Sequence, residues 1–315
     1  MVDSSGTNRR ALVTGGAGFI GSYLVPRLLD DGAEVIVFDL AAEPTALASC
    51  RDQITYIRGD LGCPADLYRA MMSQKITEVF HLGAILADAC EANPIRGFNT
   101  NFHSTQALLD ASLALNVRRF IMTSAGSVFG RDVSEPVHDD AIKNPETIYG
   151  QTKLACEHLL LWYARKHGLD ARALRLTWVF GPGRSTGITA LYSSLILDAI
   201  ARGEPITIEN PEEIGDWLYI KDAVRALRIL YEAENPRQRI YNIAGGVHSI
   251  REVVEIACKH CSDAKVTLVE GGKRLLPYAA AFDDSFARKD LGWAPSYSIE
   301  AAVRKHIEIV RWHTC

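Results

Sequence analysis

Short apolar runs alternate along the chain with amphipathic stretches of helical period. The apolar runs have the length of buried strands, and the stretches between them have the spacing of helices. Strands that alternate with helices predict an α/β protein with a parallel sheet covered on both faces. The predicted strands are Ala11–Thr14, Glu34–Asp39, Ile54–Ile57, Glu78–Leu82, Phe120–Thr123, Ala171–Val179 and Arg239–Ala244.

Three glycines separate the first strand from the helix that follows it. Gly15, Gly18 and Gly21 have G-x-x-G-x-x-G spacing. The first would permit a tight turn, the second would let the backbone approach a pyrophosphate, and the third would let helix and strand pack closely. The helix N-terminus would supply N–H donors to the anion. The pattern predicts a dinucleotide site, although Pro26 would remove a hydrogen bond from the second turn of this helix.

The second strand ends in Asp39, twenty-one positions after Gly18. A carboxylate here can accept hydrogen bonds from the hydroxyl pair of a ribose. It would also repel a 2′-phosphate, and the next residues, Leu40–Glu43, include no arginine to neutralise one. We therefore expect NAD rather than NADP as the cofactor.

Composition narrows the class of protein. The chain has 315 residues, of which 48% are hydrophobic, so it can form one large or two modest domains. A net charge of −4 offers no basic field for nucleic acid, and no apolar run reaches membrane-spanning length. The first ten residues are polar and do not resemble a signal peptide. We expect a cytoplasmic protein whose partner is a small-molecule substrate, not a nucleic acid or a membrane.

The seven cysteines are odd in number and scattered, which argues against a disulfide framework. Cys258 and Cys261 form C-x-x-C within a helical pattern, but no second pair completes a tetrahedral zinc site. We expect reduced thiols that pack within the fold, and no metal.

Tyr149 and Lys153 begin a helical run and are four residues apart, so they would share one helix face. A free phenol has a pKa of about 10 and is a poor base at neutral pH. A neighbouring ammonium and the positive charge of an oxidised nicotinamide would both favour tyrosinate. The pair predicts proton transfer by Tyr149.

Several further motifs accompany the glycine fingerprint and the Tyr149/Lys153 pair. They are Gly59–Leu61, His81–Ala84, Asn101–Thr105, Thr123–Gly130 and Asp290–Trp293. On these motifs the chain, from Arg10 to about Val310, resembles the extended short-chain dehydrogenase/reductase family, the NAD-dependent epimerase/dehydratase group. The resemblance implies a Rossmann doubly wound parallel sheet with a smaller α/β substrate-binding domain at the C-terminal end.

The resemblance also implies roles for individual residues. Asp60 would accept a hydrogen bond from the adenine amino group, Leu61 would pack beside the adenine, and Lys153 would bond the nicotinamide ribose. His81 is interpreted as a hydrogen-bonded core histidine. The predicted cofactor-binding residues are Gly15, Gly18, Phe19, Ile20, Gly21, Asp39, Leu40, Asp60, Leu61, Leu82, Gly83, Ala84, Tyr149 and Lys153.

The alternation of strands and helices weakens after about Gly181, at a segment rich in glycine and proline. We expect residues 1–176 and 221–246 to form the NAD-binding domain, and residues 177–220 and 247–315 the substrate-binding domain. The family resemblance suggests a homodimer through the helices that contain Asn101–Leu115 and Tyr149–Lys166.

The chain departs from the family pattern where a catalytic serine or threonine is usual, because that position is Ala125. Ser127 and Ser124 flank it, and either could hold the substrate oxygen beside Tyr149. We favour Ser127. The alternative, that both serines only cap or pack and that the site works without a serine, stays open.

Two other departures concern the substrate. Sugar-nucleotide members commonly carry an asparagine and an arginine that touch the nucleotide, and here those positions are Trp178 and Gly215. Losing such a partner to a diphosphate would cost about 1.5–3 kcal/mol, which makes a nucleotide sugar less favoured.

The loop His81–Pro94 resembles that of the threonine and sugar-acid dehydrogenase branch, which acts on small hydroxy acids. Ala87 replaces the serine that threonine dehydrogenases use for their substrate, which makes threonine itself doubtful. Arg184 and Arg274 could each bind a carboxylate bidentately. The candidate substrate-binding residues are Ser127, Arg184, Asp88, Trp178 and Arg274.

We therefore predict an NAD-dependent oxidoreductase that takes hydride from a secondary alcohol of a small hydroxy acid or sugar acid. The first alternative is an NAD-dependent epimerase or dehydratase acting on a nucleotide sugar, and net NADH release would distinguish the two. For a dehydratase, Gly126 lacks the acidic group expected beside the serine position. The second alternative is a non-catalytic NAD-sensing protein, which a turnover assay would identify.

Overall fold

A computed structural model describes residues 9–271 and 276–312. The main sheet has seven strands in the order β10-β6-β5-β4-β1-β2-β3. The strands are β1 Arg10–Thr14, β2 Glu34–Asp39, β3 Ile54–Arg58, β4 Glu78–His81, β5 Arg119–Ala125, β6 Ala171–Leu176, β7 Trp178–Phe180, β8 Pro205–Glu209, β9 Ile214–Tyr219, β10 Ile240–Ile243, β11 Val247–Ser249 and β12 Lys265–Val269.

Helices join most of these strands, as the parallel arrangement requires. They are α1 Phe19–Asp30, α2 Pro64–Ser73, α3 Ala87–Ala92, α4 Pro94–Gly97, α5 Ser104–Ala114, α6 Ile148–His167, α7 Ile188–Leu191, α8 Ser194–Arg202, α9 Ile220–Glu232, α10 Ile250–His260, α11 Ser285–Leu291 and α12 Ile299–Trp312. A kinked 3₁₀ segment of 9 residues occupies Thr45–Gln53. A single 3₁₀ turn occurs at Gly126–Val128, and a π-helical segment occupies Phe98–His103.

The centre of the main sheet is parallel. β1 pairs with β2 and with β4, so that Val13 lies opposite Val37 and Phe80. β2 pairs with β3, and β4 with β5, in the same sense. Because both faces are covered by helices, these strands are almost continuously apolar and buried. The predicted Rossmann-like α/β fold is confirmed.

One predicted strand is wrong. The run Ala171–Val179 is two strands, because the backbone leaves the main sheet at Thr177. The Thr177 hydroxyl donates to Asp216 Oδ1 and to the Ile243 carbonyl, both at 3.3 Å. β7 joins a second sheet of order β11-β9-β7, in which Trp178 lies opposite Trp217. An apolar run alone does not reveal such a change of sheet.

The described chain divides into two compact units. The first contains the residues up to Ile85, Ala89–Ser124 and Thr152–Ala173. The second contains Leu86–Asp88, Ala125–Gln151 and the residues from Leu174 onward. In the second unit α8, α10 and α12 pack on one another, and β8 pairs with β12. The domain boundaries predicted from the sequence stay a prediction.

None of the helices in the described parts of the chain is both long enough and apolar enough to cross a membrane.

Candidate active site

The glycine fingerprint forms a tight connection between β1 and α1. Gly15 has a φ of +66°, and a Cβ on it would lie 2.5 Å from Gly83 Cα. A Cβ on Gly21 would lie 2.4 Å from the Gly16 carbonyl oxygen. Gly18 is exposed at the start of α1 and has no side chain to cap the helix. The turn therefore presents backbone and a helix N-terminus to an anion, in a space that side chains would fill. Helix α1 continues through Pro26.

Asp39 is held at the C-terminal end of β2. Its Oδ2 accepts from the Ala17 amide at 3.0 Å and its Oδ1 from the Ala41 amide at 3.1 Å. The carboxylate is therefore fixed beside the glycine turn, while the Leu40 side chain is exposed. Arg58 of β3 is the register partner of Asp39. Sequence reasoning missed this arginine because the predicted strand ended at Ile57, one residue before it.

The predicted adenine-binding residues lie in the loops after β3 and β4. Asp60 Oδ1 accepts from the Gly62 amide at 2.8 Å, and the Asp60 amide donates to Asp66. Leu61 packs on Gly83, where an added Cβ would lie 2.5 Å from Leu61 Cδ1. Gly83 is buried, whereas Leu82 and Ala84 are partly accessible. β3 and β4 are parallel strands of one sheet, separated by β2 and β1, so the loops that follow them lie at the same edge of the sheet.

Lys153 is a buried cation in α6 and is 3% exposed. Its Nζ donates to the Thr123 carbonyl at 2.9 Å. Burial lowers the pKa of Lys153, and electrostatic interactions with Cys156, Cys90 and Glu157 oppose that change. His81 is buried close by, with its ring nitrogens hydrogen-bonded to Thr14 and Thr105. Burial, with help from Lys153, lowers the pKa of His81 to about 3, so this histidine is a neutral core residue.

Asn101 is a residue of this unit to which sequence reasoning gave no role. It lies in the π-helical segment, and its side chain exchanges two hydrogen bonds with the backbone of Ile85. It also donates to the Thr152 hydroxyl at 3.1 Å. Asn101 thereby links the loop after β4 to the helix that contains Lys153. Its motif, Asn101–Thr105, was the available signal.

The two candidate serines have different surroundings. The Ser124 hydroxyl donates to Glu157 Oε1 at 2.6 Å, and both residues are buried. In the other unit, Ser127 Oγ is buried and has no hydrogen-bond partner among the described residues. Gly150 lies against this turn, since a Cβ on it would be 2.5 Å from the Ser127 carbonyl oxygen. The neighbouring Tyr149 is half-buried in the first turn of α6.

Arg184 lies in the second unit, in the loop after β7. Its guanidinium donates to the Val179 carbonyl and the Thr189 hydroxyl. Burial lowers the pKa of Arg184, and the nearby phenols of Tyr278 and Tyr149 oppose that effect. Both of these acceptors are neutral groups.

Trp178 occupies the space above Gly215. A Cβ on Gly215 would lie 2.4 Å from Trp178 Cε3, so the indole needs glycine at this position of β9. The indole Nε1 donates to Tyr278 Oη at 3.0 Å. Burial raises the pKa of Tyr278 to about 12, so the phenol stays neutral. No sequence motif marks Tyr278, and its role could not be predicted.

Asp88 and Arg274 are the other two candidate substrate-binding residues. Asp88 is exposed in the first turn of α3. Arg274 lies outside the described residues. Within residues 9–271 and 276–312, no group of three or more histidine, cysteine or carboxylate side chains is arranged to hold a metal.

Comparison with known proteins identifies the class. Residues 11–244 match the model of the NAD dependent epimerase/dehydratase family. The chain is 28% identical to mitochondrial L-threonine 3-dehydrogenase of Bos taurus, over 95% of this chain and 82% of that protein. It is also 28% identical to UDP-glucose 4-epimerase of Azospirillum brasilense, over 94% of this chain and 90% of that one.

A similar solved structure is UDP-glucose 4-epimerase of Thermotoga maritima with UDP-glucose, with a TM-score of 0.88 and 26% identity. The match covers 97% of this chain and all of that one. The protein is thus an NAD-dependent enzyme of the extended short-chain dehydrogenase/reductase type. It belongs to the NAD dependent epimerase/dehydratase family. The glycine turn, the fixed Asp39 and the contact of Leu61 with Gly83 fit NAD, the cofactor that the sequence predicted.

Proposed function

We propose that this enzyme oxidises a secondary alcohol of a small hydroxy acid or sugar acid. When bound, NAD accepts the hydride. Tyr149 removes the hydroxyl proton, and Ser127 orients the same oxygen with its buried, unpartnered hydroxyl. Lys153, one turn further along α6, favours the tyrosinate and holds the nicotinamide ribose. Ser124 is less suited to the orienting role because it already donates to Glu157.

The packing of Trp178 on Gly215 is the observation that carries the choice of substrate. An arginine at position 215 would clash with the indole, so the two departures from the sugar-nucleotide pattern are one coupled change. The indole, tied to Tyr278, removes room that a nucleotide base would need. A site of this kind supports a compact substrate.

A small acid has little area to bury and needs a directed ionic contact. Arg184 supplies a buried positive charge beside Tyr149 and Tyr278. We assign it to the substrate carboxylate, with Trp178 as the wall of the pocket. Asp88 is exposed and could contact only a polar part of the substrate.

An epimerase acting on a nucleotide sugar is the second candidate, since relatives with that name are as similar as the threonine dehydrogenase. The coupled Trp178 and Gly215 disfavour it. The homodimer and the cytoplasmic location expected from the sequence stay predictions.

The test is a screen of hydroxy acids, polyols and sugar nucleotides for NADH release, with Tyr149→Phe as the matched variant. This change deletes only the phenolic oxygen, so NAD binding should persist while kcat falls roughly 10²–10⁴-fold. Turnover within threefold of the parent enzyme would exclude Tyr149 as the proton acceptor. Saturable binding of UDP in calorimetry, without NADH release from any acid, would favour the epimerase; NAD binding without turnover of any substrate would favour an NAD sensor.

A further inference from the structure

Glu157 is a buried carboxylate that the proposed chemistry does not use. It is 1% exposed and lies one turn after Lys153 in α6, so the two share a helix face. Burying a carboxylate is costly unless hydrogen bonds and an opposite charge compensate. Ser124 supplies a hydrogen bond at 2.6 Å.

The end of β5 binds two charged side chains of α6, those of Lys153 and Glu157. The Thr123 carbonyl accepts from Lys153 Nζ at 2.9 Å, and the hydroxyl of the next residue, Ser124, donates to Glu157. Adjacent residues of one strand thus fix an ammonium and a carboxylate on successive turns of one helix. This geometry explains why a serine at position 124 need not act on substrate.

His81, Cys90 and Cys156, which also lie near Lys153, carry no charge at neutral pH. His81 on β4 is neutral because burial, then Lys153, lowers its pKa to about 3. Burial raises the pKa of the thiols of Cys90 and Cys156. Glu157 is the carboxylate of this set, and its charge opposes the effect of burial on the pKa of Lys153.

We propose that Glu157, held by Ser124, is a positioning residue that provides the fixed countercharge for the Lys153 ammonium. Without it, a cation that is 3% exposed would lose its proton more readily. The inference rests on the proposed role of Lys153 toward the cofactor, but not on the identity of the substrate.

The test is the pH dependence of NAD binding, measured by calorimetry from pH 5 to pH 9.5 on the full chain. Glu157→Gln keeps an oxygen that can accept from Ser124 and removes the charge. We expect NAD to bind to this variant roughly tenfold more weakly at pH 9 than at pH 7, against less than about threefold for the parent. Circular dichroism and the melting temperature show whether the variant is folded.

Ser124→Ala provides a second test that does not depend on Glu157→Gln folding. Without the Ser124 hydroxyl, Glu157 is no longer held as a fixed countercharge for Lys153, so NAD binding should again weaken more between pH 7 and pH 9 than it does in the parent. Ser112→Ala is the matched control, since Ser112 is fully buried in α5 and its hydroxyl has no partner among the described residues. Profiles of Glu157→Gln or Ser124→Ala that coincide with those of the parent and of Ser112→Ala would overturn the inference. Because the readout is cofactor binding, this result is independent of whether a hydroxy acid is turned over.

Discussion

At the scale of single residues, we expect Asp39 and Arg58 to determine which of the two nicotinamide cofactors binds. Asp39 is anchored by two backbone amides, and Arg58 is its partner across β2 and β3. A carboxylate here repels a 2′-phosphate, whereas an arginine attracts one. The negative group is nearer to the glycine turn, because it accepts from the Ala17 amide. We therefore expect the enzyme to prefer NAD, although the positively charged Arg58 is the neighbour of Asp39 on the next strand.

Replacing Asp39 should leave the positive charge of Arg58 without the carboxylate beside it. We expect Asp39→Ala to weaken NAD binding and to strengthen NADP binding by roughly tenfold, the size of one hydrogen bond to a charged group. Arg58→Ala in the same background should abolish the gain. Calorimetric dissociation constants for both cofactors in the parent and the two variants provide the check. Equal affinity of the parent for NAD and NADP would contradict the assignment of Asp39.

At the scale of elements, β7 and β9 form one packing unit through Trp178, Trp217 and Gly215. The two indoles contact edge to face with centroids 5.5 Å apart, and Trp178 also covers the backbone of Gly215. A glycine inside a strand usually weakens it, so its presence in β9 indicates close approach by another group. The sequence shows the glycine and the tryptophan, but not that they touch, since thirty-seven positions separate them.

A cycle of variants tests this contact. Gly215→Ala should lower the free energy of unfolding by about 1–3 kcal/mol, because the new Cβ would overlap the Trp178 ring. In a Trp178→Ala background the same change should cost almost nothing, since the ring is gone and alanine suits a strand better than glycine. Urea unfolding of the parent, the two single variants and the double variant gives the coupling. Additive effects would show that the two positions do not interact.

At the scale of the whole molecule, the sequence is more informative about the parallel sheet and the candidate cofactor-binding residues than about the candidate substrate-binding residues. The glycine turn, Asp39 and Lys153 belong to local motifs, so strand order and helix spacing suffice to bring them into one unit. Arg184, Tyr278 and Trp178 meet through loops and small sheets without periodic patterns, and the change of sheet at Thr177 has no sequence signal. Such contacts depend on long-range packing. The hydrogen bond between Trp178 and Tyr278 and that between Ser124 and Glu157 are therefore found only in the structure.

Stability should also depend on pH through Asp216, a buried residue of β9. Its Oδ1 accepts from the amides of Gly245 and Gly246 and from the Thr177 hydroxyl. Burial raises the pKa of Asp216 from 3.8 to about 6, so the folded state holds this proton more tightly than the unfolded chain does. The stabilising contribution is complete below pH 3.8 and is lost as the pH rises through about 6.

Ionising Asp216 in the folded state should therefore cost up to about 3 kcal/mol at neutral pH. Asp216→Asn cannot ionise, and the cost of burying its amide does not change with pH. We expect the free energy of unfolding of the parent, relative to this variant, to fall as the pH rises from 4 to 7. Urea unfolding of both proteins across that pH range measures the difference between their free energies of unfolding. The contributions of the carboxylates that the two proteins share cancel in this difference. Parallel pH profiles would mean that Asp216 titrates in the folded protein as it does in the unfolded chain.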